Sequence, residues 1–211
     1  MSKAILKILG RRTSINVQKV VWLLSEMDTA FEREDYGGDF GGNKSPEFLR
    51  LNPNGVVPTL IDGGVVIWES NTILRYICNR FGPTDFYPDD PPVRADCERW
   101  MDWQLGTLNL AMTPLYIALI RTPPAKRDLD ALARHHMRAA ELFALLDRAL
   151  EDRPFLAGDT LTLADICTAM FAYRWYELDV ERSAPNVNLR RWFETIAARP
   201  AFQDHVMFGL S

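Results

Sequence analysis

The chain has 211 residues, of which 47% are hydrophobic and 25% are charged, as is ordinary for a globular protein of one large or two smaller domains. Its formal net charge of −4 provides no basic face to neutralise DNA or RNA phosphates, so no nucleic-acid partner is expected. The cysteines Cys78, Cys97 and Cys167 are odd in number and far apart, which favours a reducing compartment over a disulfide framework. The sequence shows neither a secretory signal nor an apolar run long enough to span a membrane, so we expect a cytoplasmic protein without a membrane partner.

The first part of the chain alternates between strand and helix patterns. Val17, Val20, Val21 and Leu24 recur at helical spacing, and Asp62-Gly63-Gly64 is a hairpin signal between two apolar runs. The predicted order is strand, helix, strand, helix, strand, strand, helix, at residues 3–9, 16–27, 31–36, a short helix opening at 46, 56–61, 65–68 and 71–81. Such an order builds a small mixed sheet with helices on its faces.

The rest of the chain lacks strand patterns. Residues 82–92 contain four prolines and are interpreted as a linker. Beyond them, apolar residues at helical spacing predict a long helix around Met101–Leu115, with a kink at Pro114, and further helices at Leu163–Trp175 and Leu189–Ala198. The sequence therefore predicts a mixed α/β domain followed by an all-α domain.

Four short motifs resemble those of the glutathione transferase superfamily, in the same order and over nearly the whole chain. They are Thr13-Ser14-Ile15-Asn16, Asn52-Pro53-Asn54-Gly55-Val56-Val57-Pro58, Trp68-Glu69-Ser70-Asn71-Thr72-Ile73 and Leu161-Thr162-Leu163-Ala164-Asp165. The resemblance implies a thioredoxin-like, glutathione-binding domain at residues 1–81, the linker at 82–92 and a helical-bundle domain at 93–211. It also implies a homodimer of the bacterial theta/delta-like or Nu-like type.

Pro58 lies inside a strand pattern, where proline removes a ladder hydrogen bond. The resemblance implies that Pro58 is cis and that the N–H and C=O groups of Val57 pair with the cysteinyl backbone of glutathione, with Asn54 in the same loop. The alternative is an edge-strand proline without a ligand. Relatives hold the glycyl carboxylate with a charged or polar side chain in this loop; here Lys44 or Arg12 would have to supply the charge.

Glu69 and Ser70 are predicted at a helix N-terminus, where unpaired N–H groups attract carboxylates. The resemblance implies that Ser70 donates to the α-carboxylate of the γ-glutamyl group and that Glu69 pairs with its α-ammonium. A serine at this position is more often only a helix cap, and Ser70 is predicted to cap the helix at 71–81. Both roles are compatible.

The turn into the first helix carries the candidates for thiol activation. Glutathione reacts as a thiolate, and one charge-assisted hydrogen bond contributes about 1.5–3 kcal/mol to its stability. The resemblance implies that Ser14 is the thiolate donor, with Asn16 and Thr13 as further donors. The absence of tyrosine and cysteine at this turn disfavours the tyrosine-type and cysteine-type enzymes. Simple helix capping by Ser14 or Asn16 is the open alternative.

Further expectations concern the second half of the chain. A small hydrophobic electrophile is expected to contact Trp103, Met112, Tyr116 and Phe208, residue types that more often form a core. Thr162 and Asp165 fit a capping box, so Asp165 is expected to be structural. His135, His136 and His205 lack metal-ligand spacing, and no metal cofactor is expected.

The motifs together favour an enzyme that activates glutathione for attack on an electrophile, or for reduction of a disulfide or peroxide. The alternative is a non-catalytic adaptor of the same fold, as occurs in translation elongation factors. Maleylacetoacetate isomerases usually carry Ser-Ser-Cys at the first helix, and the lack of this motif disfavours that third activity.

Overall fold

The computed structural model describes residues 5–82, 85–182 and 184–210. These residues group into two units, one up to Gly82 and the other after it. The first unit contains a sheet with helices and the second is helical, so the predicted thioredoxin-like α/β fold followed by an all-α domain is confirmed. Lys3 and Ala4 of the first predicted strand, and Pro83 and Thr84 of the predicted linker, lie outside the described residues. No helix in the described ranges is both long and apolar enough to cross a membrane.

The sheet of the first unit has the strand order β2-β1-β3-β4. β1 pairs in parallel with β2 and antiparallel with β3, and β3 forms a hairpin with β4. The strands are β1 (Leu6–Leu9), β2 (Phe31–Glu34), β3 (Thr59–Asp62) and β4 (Val65–Trp68). Parallel pairing of β1 with β2 requires a crossover, and the first helix supplies it.

The helices of the first unit are α1 (Ile15–Glu26), α2 (Pro46–Leu51) and α3 (Ser70–Phe81). α1 and α3 pack against each other, and their apolar residues form a core with Ile8 and Leu60 of the sheet. α2 begins as predicted, because the Ser45 hydroxyl accepts a hydrogen bond from the Phe48 N–H at 3.2 Å and a proline occupies the first turn.

The prediction that Ser70 caps α3 is wrong. Glu69 occupies the capping position, with a left-handed φ of 69°, and Ser70 is already the first helical residue. The reason is that α3 follows β4 directly, so the whole change of chain direction occurs at Glu69. The Ser70 hydroxyl is therefore not used to cap α3.

The second unit is built around α7, which is buried along nearly its whole length, as expected for a helix that is apolar on all sides. A long helical stretch runs from Pro91 to Arg121 with wider π-helical turns at Gln104–Leu108 and Ile117–Arg121, and Pro114 lies inside it. The helices are α4 (Pro91–Trp103), α5 (Asn109–Tyr116), α6 (Leu129–Ala149), α7 (Leu163–Glu177), α8 (Val187–Ala197) and α9 (Pro200–His205).

Asp165 organises the start of α7 as a capping box with Thr162. Its carboxylate accepts hydrogen bonds from the Thr162 N–H at 2.9 Å and hydroxyl at 3.1 Å, from the Leu156 N–H at 2.9 Å and from the Trp192 indole N–H at 2.8 Å. Complete burial raises the pKa of Asp165, and the hydrogen bonds oppose this shift. Asp165 thus has the structural role that its motif predicted.

Candidate active site

The register of the sheet brings several loops to one edge. Leu9, the last residue of β1, pairs with Glu34 at the end of β2 and with Thr59 at the start of β3; Thr59 in turn pairs with Trp68 at the end of β4. The segments that follow β1, β2 and β4 and the segment that precedes β3 therefore lie together. Three of the sequence motifs fall in these segments.

Ser14 stands at the capping position of α1 and is 8% exposed. Its backbone C=O accepts from the N–H groups of Val17 and Gln18 at 2.9 Å, as the start of a helix requires. Its hydroxyl makes no capping bond and has no other hydrogen-bond partner among the described residues. The capping alternative for the Ser14 hydroxyl is therefore wrong, and the hydroxyl is available as a donor. Thr13, half-buried beside it, is in the turn before α1.

Asn16 lies in the first turn of α1 and contacts the start of α3. The Ser70 hydroxyl donates to Asn16 Oδ1 at 3.3 Å. With its oxygen turned to Ser70, the Asn16 amide nitrogen keeps its two donors without a partner in the described ranges. This bond joins the two motifs that were expected to hold opposite parts of one ligand.

Glu69 is exposed at the N-terminus of α3, and its carboxylate makes no ion pair within the described part of the chain. A non-glycine residue with φ of 69° costs about 1–3 kcal/mol, and such residues cluster at active sites and ligand-binding segments. An unpaired carboxylate beside the N-terminus of a helix can hold an ammonium and a carboxylate at once, as an amino-acid end group requires.

The loop before β3 is held by Asn52, which is fully buried. The Asn52 amide donates to the Val56 C=O at 2.9 Å and to the Thr59 hydroxyl at 3.2 Å, and its oxygen accepts from the Asn54 N–H at 3.1 Å and side-chain amide at 3.2 Å. Asn54 thus contributes to the shape of the loop. The Val57–Pro58 peptide bond is cis, as the resemblance implied.

Val57 is half-buried, and its backbone leads directly into β3. Among the described residues neither its N–H nor its C=O takes part in a hydrogen bond. Gly10 at the end of β1 lies so close that a Cβ there would stand 3.1 Å from Val57 Cβ. The unpaired groups are therefore at the rim of the sheet, where an extended peptide could pair with them as an added strand.

Two cations lie near Val57. Lys44 Nζ donates to the Asn54 C=O at 3.2 Å, and Gly55, with φ of 59°, permits this approach because a Cβ there would lie 2.7 Å from Nζ. A Cβ on Gly37 would lie 3.3 Å from Arg11 Nη1 and 3.6 Å from Val57 Cγ1, so Arg11 reaches the same region. Neither side chain has an anionic partner in residues 5–82, 85–182 and 184–210.

Arg11 was missed by the sequence analysis, which considered Lys44 and Arg12 as carboxylate partners. Arg12 is exposed in the turn before α1 and has a contact of its own. The signal for Arg11 was its position directly after Gly10, at the end of a predicted strand, in a chain that also has a glycine-rich segment at 37–42. Only the fold shows that this segment lies against the Arg11 side chain.

The residues expected to contact a second substrate all belong to the second unit. Trp103 ends α4 and is half-buried, and Phe208 is half-buried in the segment after α9. Met112 and Tyr116 of α5 are buried, and the Arg174 guanidinium lies 3.9 Å from the centre of the Tyr116 ring. Their role in substrate binding stays a prediction. In the described ranges no three His, Cys, Asp or Glu side chains are grouped so that they could hold a metal ion.

Comparison with known proteins agrees with this geometry. Residues 4–79 match the family described as glutathione S-transferase, N-terminal domain, and residues 109–200 match glutathione S-transferase, C-terminal domain. Glutathione S-transferase GstB of Escherichia coli is 38% identical over 96% of this chain and 98% of its own, and glutathione S-transferase 3 of Zea mays is 33% identical over 95% and 93%. The theta class glutathione S-transferase of Xanthomonas axonopodis pv. citri, solved with glutathione bound, has a TM-score of 0.92 and 40% identity over 98% of this chain and 99% of its own.

Proposed function

Since the chain belongs to the glutathione S-transferase family, we propose that it binds glutathione at this edge of the sheet and activates its thiol for transfer to a small hydrophobic electrophile. The observation that carries the proposal is the unpaired backbone of Val57. Val57 is half-buried, and a backbone N–H and C=O without partners cost free energy there unless a ligand or water pairs with them. The cysteinyl residue of glutathione has the complementary pair.

The γ-glutamyl end fits the start of α3. Its α-carboxylate meets the backbone N–H and the hydroxyl of Ser70, and its α-ammonium meets the exposed carboxylate of Glu69. Binding exchanges the bond from Ser70 to Asn16 for a bond from Ser70 to the carboxylate. The left-handed Glu69 is consistent with a backbone shaped for this contact.

The thiol is activated by donors at the start of α1. The free hydroxyl of Ser14 and the free amide N–H groups of Asn16 stabilise the thiolate by hydrogen bonds, and the helix N-terminus adds to the effect. Thr13 is a further donor in the same turn. A donor that prefers the anion lowers the thiol pKa, so more glutathione is a thiolate at neutral pH.

The glycyl carboxylate is held by Lys44, with Arg11 as a second cation. Both lie by the loop that carries Val57, and Lys44 is already oriented by its bond to the Asn54 C=O. The loop itself has no charged side chain, so Lys44 and Arg11 supply the positive charge that pairs with the carboxylate. Pro58 and Asn54 support the shape of this part of the site.

Three further points belong to the proposal. The second substrate contacts Trp103, Met112, Tyr116 and Phe208. The protein works in a reducing, cytoplasmic setting, as three buried cysteines that form no disulfide suggest. The protein is a homodimer, and the exposed apolar residues Val65 and Val66 of β4 are a surface that a second copy would cover.

Calorimetric titration of the protein with glutathione tests the proposal, together with turnover of an aryl halide electrophile. We expect saturable binding, and glutathione conjugate formed faster than in buffer. Binding without turnover of any electrophile, disulfide or peroxide would favour the non-catalytic adaptor. A lack of both would refute the proposal.

A further inference from the structure

Lys19 of α1 has no exposed surface, although its side chain carries an ammonium group. A lysine is almost never fully buried unless it is paired, because an ammonium without hydrogen bonds in the interior is costly in free energy. Lys19 Nζ donates to Asn71 Oδ1 at 3.2 Å. Glutathione binding as described above gives this lysine no direct role.

The partner of Lys19 is close to the candidate site. Asn71 is buried and is the second residue of α3, directly after Ser70. Asn16 lies three residues before Lys19, so the two side chains lie on neighbouring turns of one face of α1. The bond from Lys19 to Asn71 therefore runs beside the bond from Ser70 to Asn16. These two side-chain bonds connect the first two turns of α1 with the first turn of α3.

We propose that Lys19 is a positioning residue for glutathione: through Asn71 it fixes the first turn of α3 at a set distance from the donors on α1. This inference rests on the proposed function. The two helix starts hold different parts of the same tripeptide, the sulfur on α1 and the γ-glutamyl end on α3. A displacement of about 1 Å between such groups is enough to weaken binding or turnover substantially.

The conformation of Glu69 supports this role. A non-glycine residue in the left-handed region persists when surrounding contacts fix it, and Glu69 stands directly before the two residues that bind α1. The Ser70 hydroxyl must leave Asn16 to bind a carboxylate. The bond from Lys19 to Asn71 then remains to keep α3 in place while the ligand is bound.

The test compares glutathione dissociation constants of Lys19→Met, Lys19→Arg and Leu24→Ala, at a temperature where each is fully folded. Lys19→Met keeps the aliphatic stem without the ammonium, and we expect about tenfold weaker binding. Lys19→Arg restores a cationic donor and should recover most of the affinity. Leu24 is buried on the same helix, so Leu24→Ala controls for loss of stability and should bind within about twofold of wild type.

Three results would overturn the role of Lys19: wild-type affinity in Lys19→Met, equal losses in Lys19→Met and Leu24→Ala, or no recovery in Lys19→Arg. If Lys19→Met does not fold, Lys19→Gln is measured against the same tenfold expectation. A wild-type chain that does not bind glutathione would refute the proposed function as well. Tight binding by wild type and Lys19→Met alike would refute the positioning role alone.

Discussion

Several side chains of the candidate site lack a matching partner, an acceptor or an opposite charge, among the described residues. The Ser14 hydroxyl and the Asn16 amide N–H groups have no partner among the described residues, although both residues stand at a helix start where such groups usually cap. Lys44 and Arg11 are cations without an anion in the same described part. Each of these groups matches a group of glutathione: the donors match its thiolate, and the cations match its glycyl carboxylate.

The roles of Lys44 and Arg11 give a prediction with an internal control. Lys44→Ala should weaken glutathione binding about three- to tenfold, because an exposed charge pair contributes about 1 kcal/mol. Glutathione esterified at the glycyl carboxylate should bind wild type and Lys44→Ala about equally. Arg11→Ala should show the same pattern.

The matched control for these variants is Arg50→Ala, which removes an exposed cation of α2 whose partner is Glu47. Calorimetric titration with both ligands measures all four proteins. Equal losses for glutathione and its ester would contradict a contact with the glycyl carboxylate. A loss in Arg50→Ala as large as in Lys44→Ala would show a non-specific effect of net charge.

At the scale of secondary structure, Asp165 accounts for the start of α7. Four hydrogen bonds converge on its buried carboxylate, from Thr162, Leu156 and Trp192. Asp165→Ala leaves these donors buried without partners, and we expect a loss of about 3–5 kcal/mol in the free energy of unfolding. Urea denaturation measures it, with the exposed Asp159→Ala as control. A loss below 1 kcal/mol in Asp165→Ala would contradict the structural role.

Periodicity and turn signals in the sequence were sufficient for the order of the elements, because apolar spacing directly reflects which face of an element is buried. They failed where a single residue changes the chain direction. α3 begins at Ser70 rather than Asn71 because Glu69 takes a left-handed conformation, which no sequence pattern indicates. β3 begins at Thr59 rather than Val56 because the Asn52 side chain occupies the Val56 C=O.

The residues of the candidate site divide in the same way, into those that the sequence predicts and those that only the fold reveals. Ser14, Asn16, Glu69 and Ser70 follow from local motifs, since each lies at a helix start that the sequence marks. Arg11 and Lys19 do not follow, because their importance depends on contacts with residues far along the chain. A lysine within the apolar run of a predicted helix was nevertheless a signal, since most of its neighbours in that run are apolar and buried.

For the whole molecule, the proposed homodimer gives a mass that can be measured. The apolar residues Val65, Val66 and Trp68 of β4 are each more than a third exposed. Val65→Lys with Val66→Lys should weaken association, because a buried interface tolerates unpaired charges poorly. Light scattering at micromolar concentration should give about 48 kDa for wild type, twice the 24.1 kDa of one chain. A wild-type mass of one chain would contradict the proposal.

The central claim is that donors at the start of α1 stabilise the thiolate of bound glutathione. Titration of thiolate absorbance against pH in the complex tests it most directly. For wild type we expect a thiol pKa about two pH units below that of free glutathione, which corresponds to about 2.7 kcal/mol.

Ser14→Ala should raise that pKa and slow turnover at neutral pH by about 10- to 100-fold, with Asn16 limiting the loss. The double variant Ser14→Ala, Asn16→Ala should lose more and still bind glutathione through Val57, Glu69 and Ser70. A titration curve in the double variant that coincides with wild type would contradict the account, because the thiolate would then be stabilised by some other group.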